Sequence, residues 1–356
     1  MKFDRTLVHD SVLEDEDEDE DEAADPTTKN KRPSMKYFVT GGAGFIASNL
    51  VDRLLESDQE VVAYDNFSTG QERFIEKART HESFSFIRGD TTELAALKAA
   101  MEGADFVFHL SANADVRFGL EHPRKDLEQN TIATFNVLEA MRSHGIKQMA
   151  FSSTGSIYGE PDTFPTPENA PLPVQTSLYG ATKLACEGLI QAYSEGYGVE
   201  ASIFRFVSIL GERYSHGHVY DFHKSLREDP TRLTILGDGH QRKSYLYIQD
   251  CCDAMLIAIQ QPRNRVNVYN LGTDEHCEVN DSVGWICEHL GISPQLDYTG
   301  GKRGWVGDSP FIFLDCREMR SLGWAPKLSI RDAVIRTLSY LQENTWLYDA
   351  RDLRES

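Results

Sequence analysis

The hydrophobic positions of this chain change their spacing repeatedly between residues 35 and 160. Short apolar runs, typical of buried strands, alternate with stretches in which apolar residues recur every three or four positions, as on one helix face. This alternation predicts an α/β fold built on a doubly wound parallel sheet. The predicted strands are 37–39, 60–64, 84–88, 105–110 and 148–151, and the predicted helices between them are 45–55, 91–101 and 127–141.

The pattern is less regular after residue 160. A proline-rich loop is predicted over 161–175, followed by a helix from Ser177 and a strand over 199–210. The short strands and loops of 211–250 predict a smaller, mixed C-terminal lobe. We therefore expect one domain over 35–200, to which later segments return, and a lobe over 201–350. The predicted later elements are strands 233–236, 245–248 and 266–271 and helices 251–260, 279–290 and 330–341.

A glycine cluster follows the first predicted strand. Gly41 and Gly44 let the backbone approach a pyrophosphate, and the first N–H groups of the helix that carries Phe45 and Ile46 point at it. Asp65 ends the next strand 21 residues after Gly44, where an acid binds the adenosine ribose. A glycine cluster alone is often an ordinary turn, but the strand, helix and acid favour a Rossmann-type domain. Asp65 would repel a 2′-phosphate, which predicts NAD.

Other candidate residues lie at the ends of predicted strands, where ligands bind in such sheets. Asp90 follows the third strand and either reaches the adenine amino group or caps the next helix. The fourth strand ends at Leu110, and small residues including Ala112 allow a flat cofactor ring to pass closely. Ser152 ends the fifth strand. We predict that these four residues, Asp90, Leu110, Ala112 and Ser152, line the cofactor site.

Tyr179 and Lys183 are four residues apart on a predicted helix, so both project from one face. A tyrosine has a reference pKa of about 10, which a nearby ammonium and a positive nicotinamide would lower. Tyr179 could then take a proton from a sugar hydroxyl that Thr154 orients. A surface pair is the alternative, but the cofactor motif and Thr154 favour catalysis.

Charge and composition exclude several classes of function. The net charge is −20, with 12 acidic and 5 basic residues in 1–34, which we predict to be a disordered tail. This balance argues against a nucleic-acid or membrane partner. We find no spanning segment or signal peptide, no Cys-x-x-Cys pair among six cysteines, and no third ligand for His216 and His218. We therefore expect a cytoplasmic protein without a metal site.

These motifs resemble the extended short-chain dehydrogenases that act on nucleotide sugars, over about residues 35–345. The resemblance implies that Asn66 and Asn130 join the cofactor site, and that Arg117, Thr154, Ser208, Lys243 and Arg303 bind the substrate. It also implies a homodimer, formed through the helix of Tyr179 and a helix near 121–144. The resemblance rests on 40–46, Asp65-Asn66, Asn130, Ser152-Ser153-Thr154, Tyr179-Gly180-Ala181-Thr182-Lys183, Arg205, Gly237-Asp238-Gly239 and 245–248.

The residues after Thr154 distinguish branches of this family. Related 4,6-dehydratases carry Asp-Glu there and uronate decarboxylases a Glu, whereas this chain has Gly155-Ser156. Neither residue can act as an acid or base on the sugar. The sequence is therefore closest to UDP-glucose 4-epimerases, with UDP-glucose/UDP-galactose or a UDP-uronic acid as substrate. The alternatives are a dehydratase or dehydrogenase/reductase of the same family, or a silent sugar-nucleotide-binding protein.

Overall fold

The described part of the chain begins just before the first predicted strand. A computed structural model describes residues 34–113, 116–172 and 174–355, with side chains except those of 116–118 and 351–355. The predicted acidic tail thus lies almost wholly outside the described residues. The strands are β1 Lys36–Thr40, β2 Glu60–Asp65, β3 Phe84–Arg88, β4 Phe106–His109, β5 Gln148–Thr154, β6 Glu200–Phe206, β7 Ser208–Leu210, β8 Arg232–Ile235, β9 Arg242–Lys243, β10 Tyr245–Tyr247, β11 Val266–Leu271, β12 Cys277–Glu278, β13 Gln295–Tyr298 and β14 Phe311–Ile312.

Helices cover the sheet and extend beyond it. No helix among the described residues is long and apolar enough to cross a membrane. A π-helical segment, Leu127–Ile132, leads into the fifth α-helix. The α-helices are α1 Phe45–Glu56, α2 Leu94–Ala100, α3 Val116–Glu121, α4 Pro123–Asp126, α5 Ala133–His144, α6 Leu178–Tyr197, α7 His218–Glu228, α8 Ile248–Gln260, α9 Val279–Leu290, α10 Arg317–Arg320, α11 Ile330–Glu343 and α12 Trp346–Glu355.

Seven parallel strands form the central sheet in the order β11-β6-β5-β4-β1-β2-β3. The chain runs outward from β1 to β3 and then crosses back to β4, so the strand order reverses between β1 and β4. The carboxyl ends of the strands form a ligand-binding crevice at such a point. This arrangement confirms the predicted Rossmann-type α/β fold. Because β6 and β11 come from beyond residue 200, the sheet draws on both halves of the chain, and the domain boundary itself stays a prediction.

The C-terminal half adds small sheets that pair β7 with β10, β8 with β13, and β9 with both β12 and β14. Here the predicted strand 199–210 proved to be two strands. The Val207 N–H donates to Leu271 at the end of β11, and the residues after it pair with β10 instead of the central sheet. The predicted helix 91–101 was also too long, because it begins only at Leu94.

Candidate active site

The loop between β1 and α1 lies against the end of β4. Gly41 has a φ of +70°, and a Cβ atom at this position would lie 2.9 Å from the Ser111 backbone. Only glycine fits both conditions without strain. The N-terminus of α1, where Phe45 and Ile46 begin the first turn, has no side-chain cap among the described residues. Its N–H groups can therefore bind an anion at the helix N-terminus beside Gly44.

Asp65 fixes the loops on both sides of the predicted ribose position. One carboxylate oxygen, Oδ2, accepts the Ala43 N–H at 3.1 Å, and Oδ1 accepts the Phe67 N–H at 2.6 Å. The side chain is buried at the end of β2. Asp65 thus joins the glycine loop to the loop after β2, and its contact with a ribose stays a prediction.

Asn66 and Asp90 are brought together beyond the ends of β2 and β3. The Asn66 amide donates to Asp90 Oδ2 at 2.8 Å, while Oδ1 accepts the N–H and hydroxyl of Thr92 at 2.8 and 2.7 Å. Burial raises the pKa of Asp90, but these hydrogen bonds outweigh it, and the net shift is downward. Asp90 therefore stays ionised and organises a turn that delays the start of α2 to Leu94.

The residues after β4 face the glycine loop. The N–H groups of Leu110 and Ser111 donate to the Thr40 hydroxyl at 3.1 and 3.2 Å, and Ala112 is half-buried beside them. The Ser111 hydroxyl is buried and has no partner among the described residues. A buried hydroxyl without a partner is costly unless a ligand satisfies it. Its position next to Gly41 fits a bound dinucleotide.

Asn130 lies in the π-helical segment and bridges this loop to the helix of Tyr179. Its Oδ1 accepts the Asn113 N–H at 3.0 Å, and its Nδ2 donates to the Thr182 hydroxyl at 3.0 Å. π-helical turns are frequent at functional sites. Asn130 therefore ties the end of β4 to α6, and its place in the cofactor site stays a prediction.

Tyr179 lies in the first turn of α6, which Ser177 caps by accepting the Gly180 N–H at 3.0 Å. The Tyr179 side chain interacts with Thr154, the last residue of β5. Burial raises the pKa of Tyr179, as does the negative charge of Asp126, while the interaction with Thr154 lowers it; the net shift is upward. The structure thus brings the predicted base and the predicted orienting residue into contact.

Lys183 lies one turn further along α6 and is 1% exposed. Its Nζ donates to the Ser152 carbonyl at 2.7 Å, so Lys183 and Tyr179 contact β5 on either side of Ser153. Burial lowers the pKa of Lys183 to about 8, although the charges of Cys186 and Glu187 oppose this shift. The ammonium therefore remains mostly protonated at neutral pH.

Three of the predicted substrate residues, Ser208, Lys243 and Arg303, come from the part of the chain after α6. Lys243 on β9 donates to Asp308 at 2.6 Å and to the Ser309 carbonyl, and Arg303 pairs with Glu160. The loop 303–309 contacts the segment after β5, since the Ser309 hydroxyl donates to the Gly159 carbonyl at 3.4 Å. Ser208 is exposed at the start of β7, while the Arg117 side chain lies outside the described residues.

Sequence reasoning missed several charged residues near the site. Glu187 is buried and pairs with Arg205 at 2.7 Å, and Asp308 pairs with Lys243. The spacing of Glu187, four residues after Lys183, was an available signal for a position on the same helix face. No signal in the sequence pointed to Asp126 or Asp308, because tertiary packing alone brings them to Tyr179 and Lys243.

This geometry agrees with a comparison against known families. The family described as "NAD dependent epimerase/dehydratase family" matches residues 37–272. The chain belongs to this family. Membership confirms the predicted family resemblance, and with it an NAD-dependent enzyme of the epimerase/dehydratase family. The residues present fit NAD: Gly41, Gly44 and the first turn of α1 would hold the pyrophosphate, with Asp65 at the ribose and Ser111 within the cofactor crevice.

Several relatives of the epimerase/dehydratase family span nearly the whole described chain. The chain is 31% identical over 311 residues to a putative UDP-glucose 4-epimerase of Methanocaldococcus jannaschii, a match that covers 86% of this chain and 98% of that protein. A crystal structure of a UDP-galactose 4-epimerase matches with a TM-score of 0.79 and 34% identity, covering 88% of this chain and 100% of that one. A UDP-glucuronic acid 4-epimerase of Bacillus cereus, solved with UDP-glucuronic acid and NAD, has a TM-score of 0.81 and 28% identity and covers 87% and 99% of the two chains.

No group of three or more His, Cys, Asp or Glu side chains is arranged to hold a metal ion among the described residues. His218 is instead hydrogen-bonded to the Ser282 hydroxyl at 2.9 Å and lies against the Tyr245 ring. The segment around His218 thus has a packing role.

Proposed function

We propose that this protein is an NAD-dependent nucleotide-sugar 4-epimerase that acts on UDP-glucose and UDP-galactose or on a UDP-uronic acid. The observation that supports inversion over loss of water or carbon dioxide is the environment of Gly155. A Cβ atom at this position would lie 3.3 Å from Ile312 Cγ2 and from the Phe206 carbonyl, and 3.4 Å from Leu314. A side chain directly after Thr154 would therefore require its neighbours to shift by a few tenths of an ångström, and this chain has no carboxylate there.

Ser156, the next residue, is bonded to Thr154. Its N–H donates to the Thr154 hydroxyl at 3.1 Å, and its own hydroxyl lies 3.2 Å from the same oxygen. A serine hydroxyl at neutral pH does not supply the acid–base pair that elimination from the sugar requires. The segment after β5 thus supports a reaction in which a 4-keto sugar forms and is reduced again.

In the proposed mechanism Tyr179 accepts the proton of the sugar 4-hydroxyl while Thr154 holds the same oxygen by a hydrogen bond. The charge of Lys183, together with that of the bound nicotinamide, would favour the phenolate during the reaction. When bound, NAD accepts the hydride from C4 and returns it to the opposite face of the sugar. Lys243 and Arg303, paired with carboxylates in the structure, are proposed to bind the diphosphate.

The named relatives support these candidate substrates, and the choice among them is directly testable. We would incubate the purified protein with UDP-glucose, UDP-glucuronate and GDP-mannose separately and follow each product by proton NMR. A C4-inverted sugar of unchanged mass supports the proposal and identifies the substrate. A product lighter by water or carbon dioxide would contradict it.

The same assay tests the role of Tyr179. Tyr179→Phe removes the group that accepts the proton and leaves the ring, so we expect kcat to fall by at least about a hundredfold. NAD binding, measured by the cofactor content of the purified protein, should remain near the wild-type value. A variant that binds NAD and keeps full turnover would refute the assignment of Tyr179 as the base.

We also propose a homodimer formed through α5, α6 and the segment before α5. Phe135 on α5 lies edge-on to Tyr193, which contacts Tyr197 on α6 at 5.0 Å between ring centroids. Phe135 is 41% exposed and Tyr197 49% exposed. Exposed apolar side chains that lie side by side mark interaction sites. Other exposed apolar residues of these segments are Leu120, Leu127, Ile132 and Leu178.

The cysteines support a cytoplasmic location. All six are free thiols, and five of them are buried. Reduced cysteines are the normal state in the cytosol, whereas exported proteins form disulfides. We therefore propose a cytoplasmic enzyme; activity that fractionated with membranes or the medium would contradict this location.

A further inference from the structure

A buried network of three polar side chains joins the catalytic helix to two strands of the sheet. We refer to Ser153 on β5, Glu187 on α6 and Arg205 on β6 as the Glu187 network. Arg205 binds the carboxylate with two nitrogens, Nε at 3.1 Å from Oε1 and Nη2 at 2.7 Å from Oε2. The Ser153 hydroxyl donates to Oε1 at 2.5 Å. All three side chains are at most 6% exposed.

The Glu187 network meets β5 between the two residues of this strand that interact with Lys183 and Tyr179. Ser153 stands between Ser152, whose carbonyl accepts a hydrogen bond from the Lys183 ammonium, and Thr154, which interacts with Tyr179. Glu187 lies one helical turn beyond Lys183. The bond between Ser153 and Glu187 therefore fixes the register of strand β5 against helix α6 at the place where both catalytic contacts form.

A buried ion pair is a costly way to hold two elements together, since apolar residues of similar volume often stabilise a fold equally well. What the ion pair adds is a fixed geometry. Arg205 is anchored in turn by donating to the Tyr158 hydroxyl at 2.7 Å and to the Glu168 carbonyl at 2.8 Å. The carboxylate of Glu187 is thus held in one position, and its hydrogen bond with Ser153 holds that hydroxyl in place in turn.

We propose that Glu187 is a positioning residue for the reaction, acting through Ser153 to hold Thr154 and Ser152 in register with Tyr179 and Lys183. This role rests on the proposed function, because it concerns the proton transfer at Tyr179. Glu187 is hydrogen-bonded to Ser153 and Arg205, and its proposed positioning effect is transmitted by the strand, separately from the charge by which it raises the pKa of Lys183.

The test removes one hydrogen bond from either end of the network. Glu187→Gln would leave the Arg205 charge buried without its partner and endanger folding, so we choose Ser153→Ala and, as its matched control, Tyr158→Phe. Each variant deletes one buried hydroxyl that bonds to the same ion pair. Only Ser153 lies between the two residues of β5 that contact the catalytic side chains.

We expect Ser153→Ala to lower kcat by about tenfold or more, because small misplacements of reacting groups are expensive. Displacement of Thr154 should also move the acid limb of the kcat profile to higher pH, because the interaction with Thr154 lowers the Tyr179 pKa. Asp126 and Cys186, the other titratable groups that act on Tyr179, are unchanged in both variants. Tyr158→Phe should lower the melting temperature but change kcat and its pH profile much less than Ser153→Ala, because the Glu168 carbonyl and Glu187 still hold Arg205.

Two results would overturn the positioning role: a Ser153→Ala enzyme with the wild-type kcat and pH profile, or a Tyr158→Phe enzyme with the same loss and shift as Ser153→Ala. The wild-type protein separates this inference from the proposed function. A wild type that inverts no sugar overturns the function. An active wild type accompanied by an equally active Ser153→Ala variant overturns only the role of Glu187.

Discussion

Tyr179 and Lys183 share a helix face but are held by different groups of β5. Tyr179 interacts with a side chain, that of Thr154, which can exchange one oxygen partner for another when a sugar binds. Lys183 is bonded to a backbone carbonyl, that of Ser152, which is fixed by the strand. At the residue scale, the proposed base can thus respond to substrate while the ammonium beside it is held by the backbone.

Gly41 provides a residue-scale prediction about the cofactor. Gly41→Ala should cost about 1–2 kcal/mol for the left-handed backbone and displace the Ser111 backbone as well. Gly145→Ala is the matched control, since Gly145 has the same φ of +70° with nothing within 4 Å of an added Cβ. Both variants should lose stability in urea unfolding, but only Gly41→Ala should lose NAD affinity in calorimetric titration. Equal NAD affinities would contradict this use of Gly41.

Helix α6 combines the catalytic residues, the Glu187 network and part of the proposed dimer surface. Its first turn is fixed by the Ser177 cap, and its C-terminus is closed by Gly198 in the left-handed conformation. Because Tyr179 lies in the first turn, fraying of this end would move the catalytic phenol before it affected the rest of the helix. The cap of α6 is therefore expected to matter for turnover as well as for stability.

A comparison of the Ser177 cap with a second helix cap should separate its effect on turnover from its effect on stability. Ser177→Ala is expected to cost about 1 kcal/mol of unfolding free energy and also to lower kcat. Ser329 caps α11 in the same way, accepting the Asp332 N–H at 3.1 Å, and Ser329→Ala serves as the control. The control should lose a similar amount of stability and keep its kcat. An unchanged kcat in a destabilised Ser177→Ala protein would argue against the importance of this cap.

The elements differ in how well the sequence predicted them. The unit of β1, α1 and β2 was predictable because its signals are local: an apolar run, a glycine turn and an acid at a known distance. Tyr179 and Lys183 were predictable from helical spacing. Glu187, Ser153 and Arg205 come from three separate elements, and only the pairing of β5 with β6 brings them together. The start of α2 was misplaced because Asp90 holds the preceding residues in a turn.

At the scale of the whole molecule, α5 and α6 expose two aromatic side chains side by side on a protein that is highly charged. The formal net charge of −20 would keep molecules apart at long range. A specific contact between two copies therefore needs a surface where apolar area outweighs this repulsion. Phe135 and Tyr197 offer such area, together with Arg142, which lies 5.5 Å above the Tyr197 ring.

A charge on this surface should prevent dimer formation. Phe135→Asp is expected to convert the protein to a monomer, as measured by light scattering after size-exclusion chromatography, because it places a carboxylate in a desolvated interface. Leu296→Asp is the control, since Leu296 is 36% exposed on β13, away from these helices. The control should remain dimeric. A Phe135→Asp protein that still dimerises would exclude this surface as the interface.

The closed packing around Gly155 limits how this protein can diverge. The neighbours that fill the space are Ile312 and Leu314, which lie far along the chain. A single Gly155→Asp substitution would place a charge among apolar side chains and lower stability before it offered any new chemistry. Shifts of a few tenths of an ångström at Ile312 and Leu314, or smaller residues there, would relieve the contacts, and neither change brings a catalytic gain on its own. The packing around Gly155 therefore couples the type of reaction to two residues that are distant in the sequence.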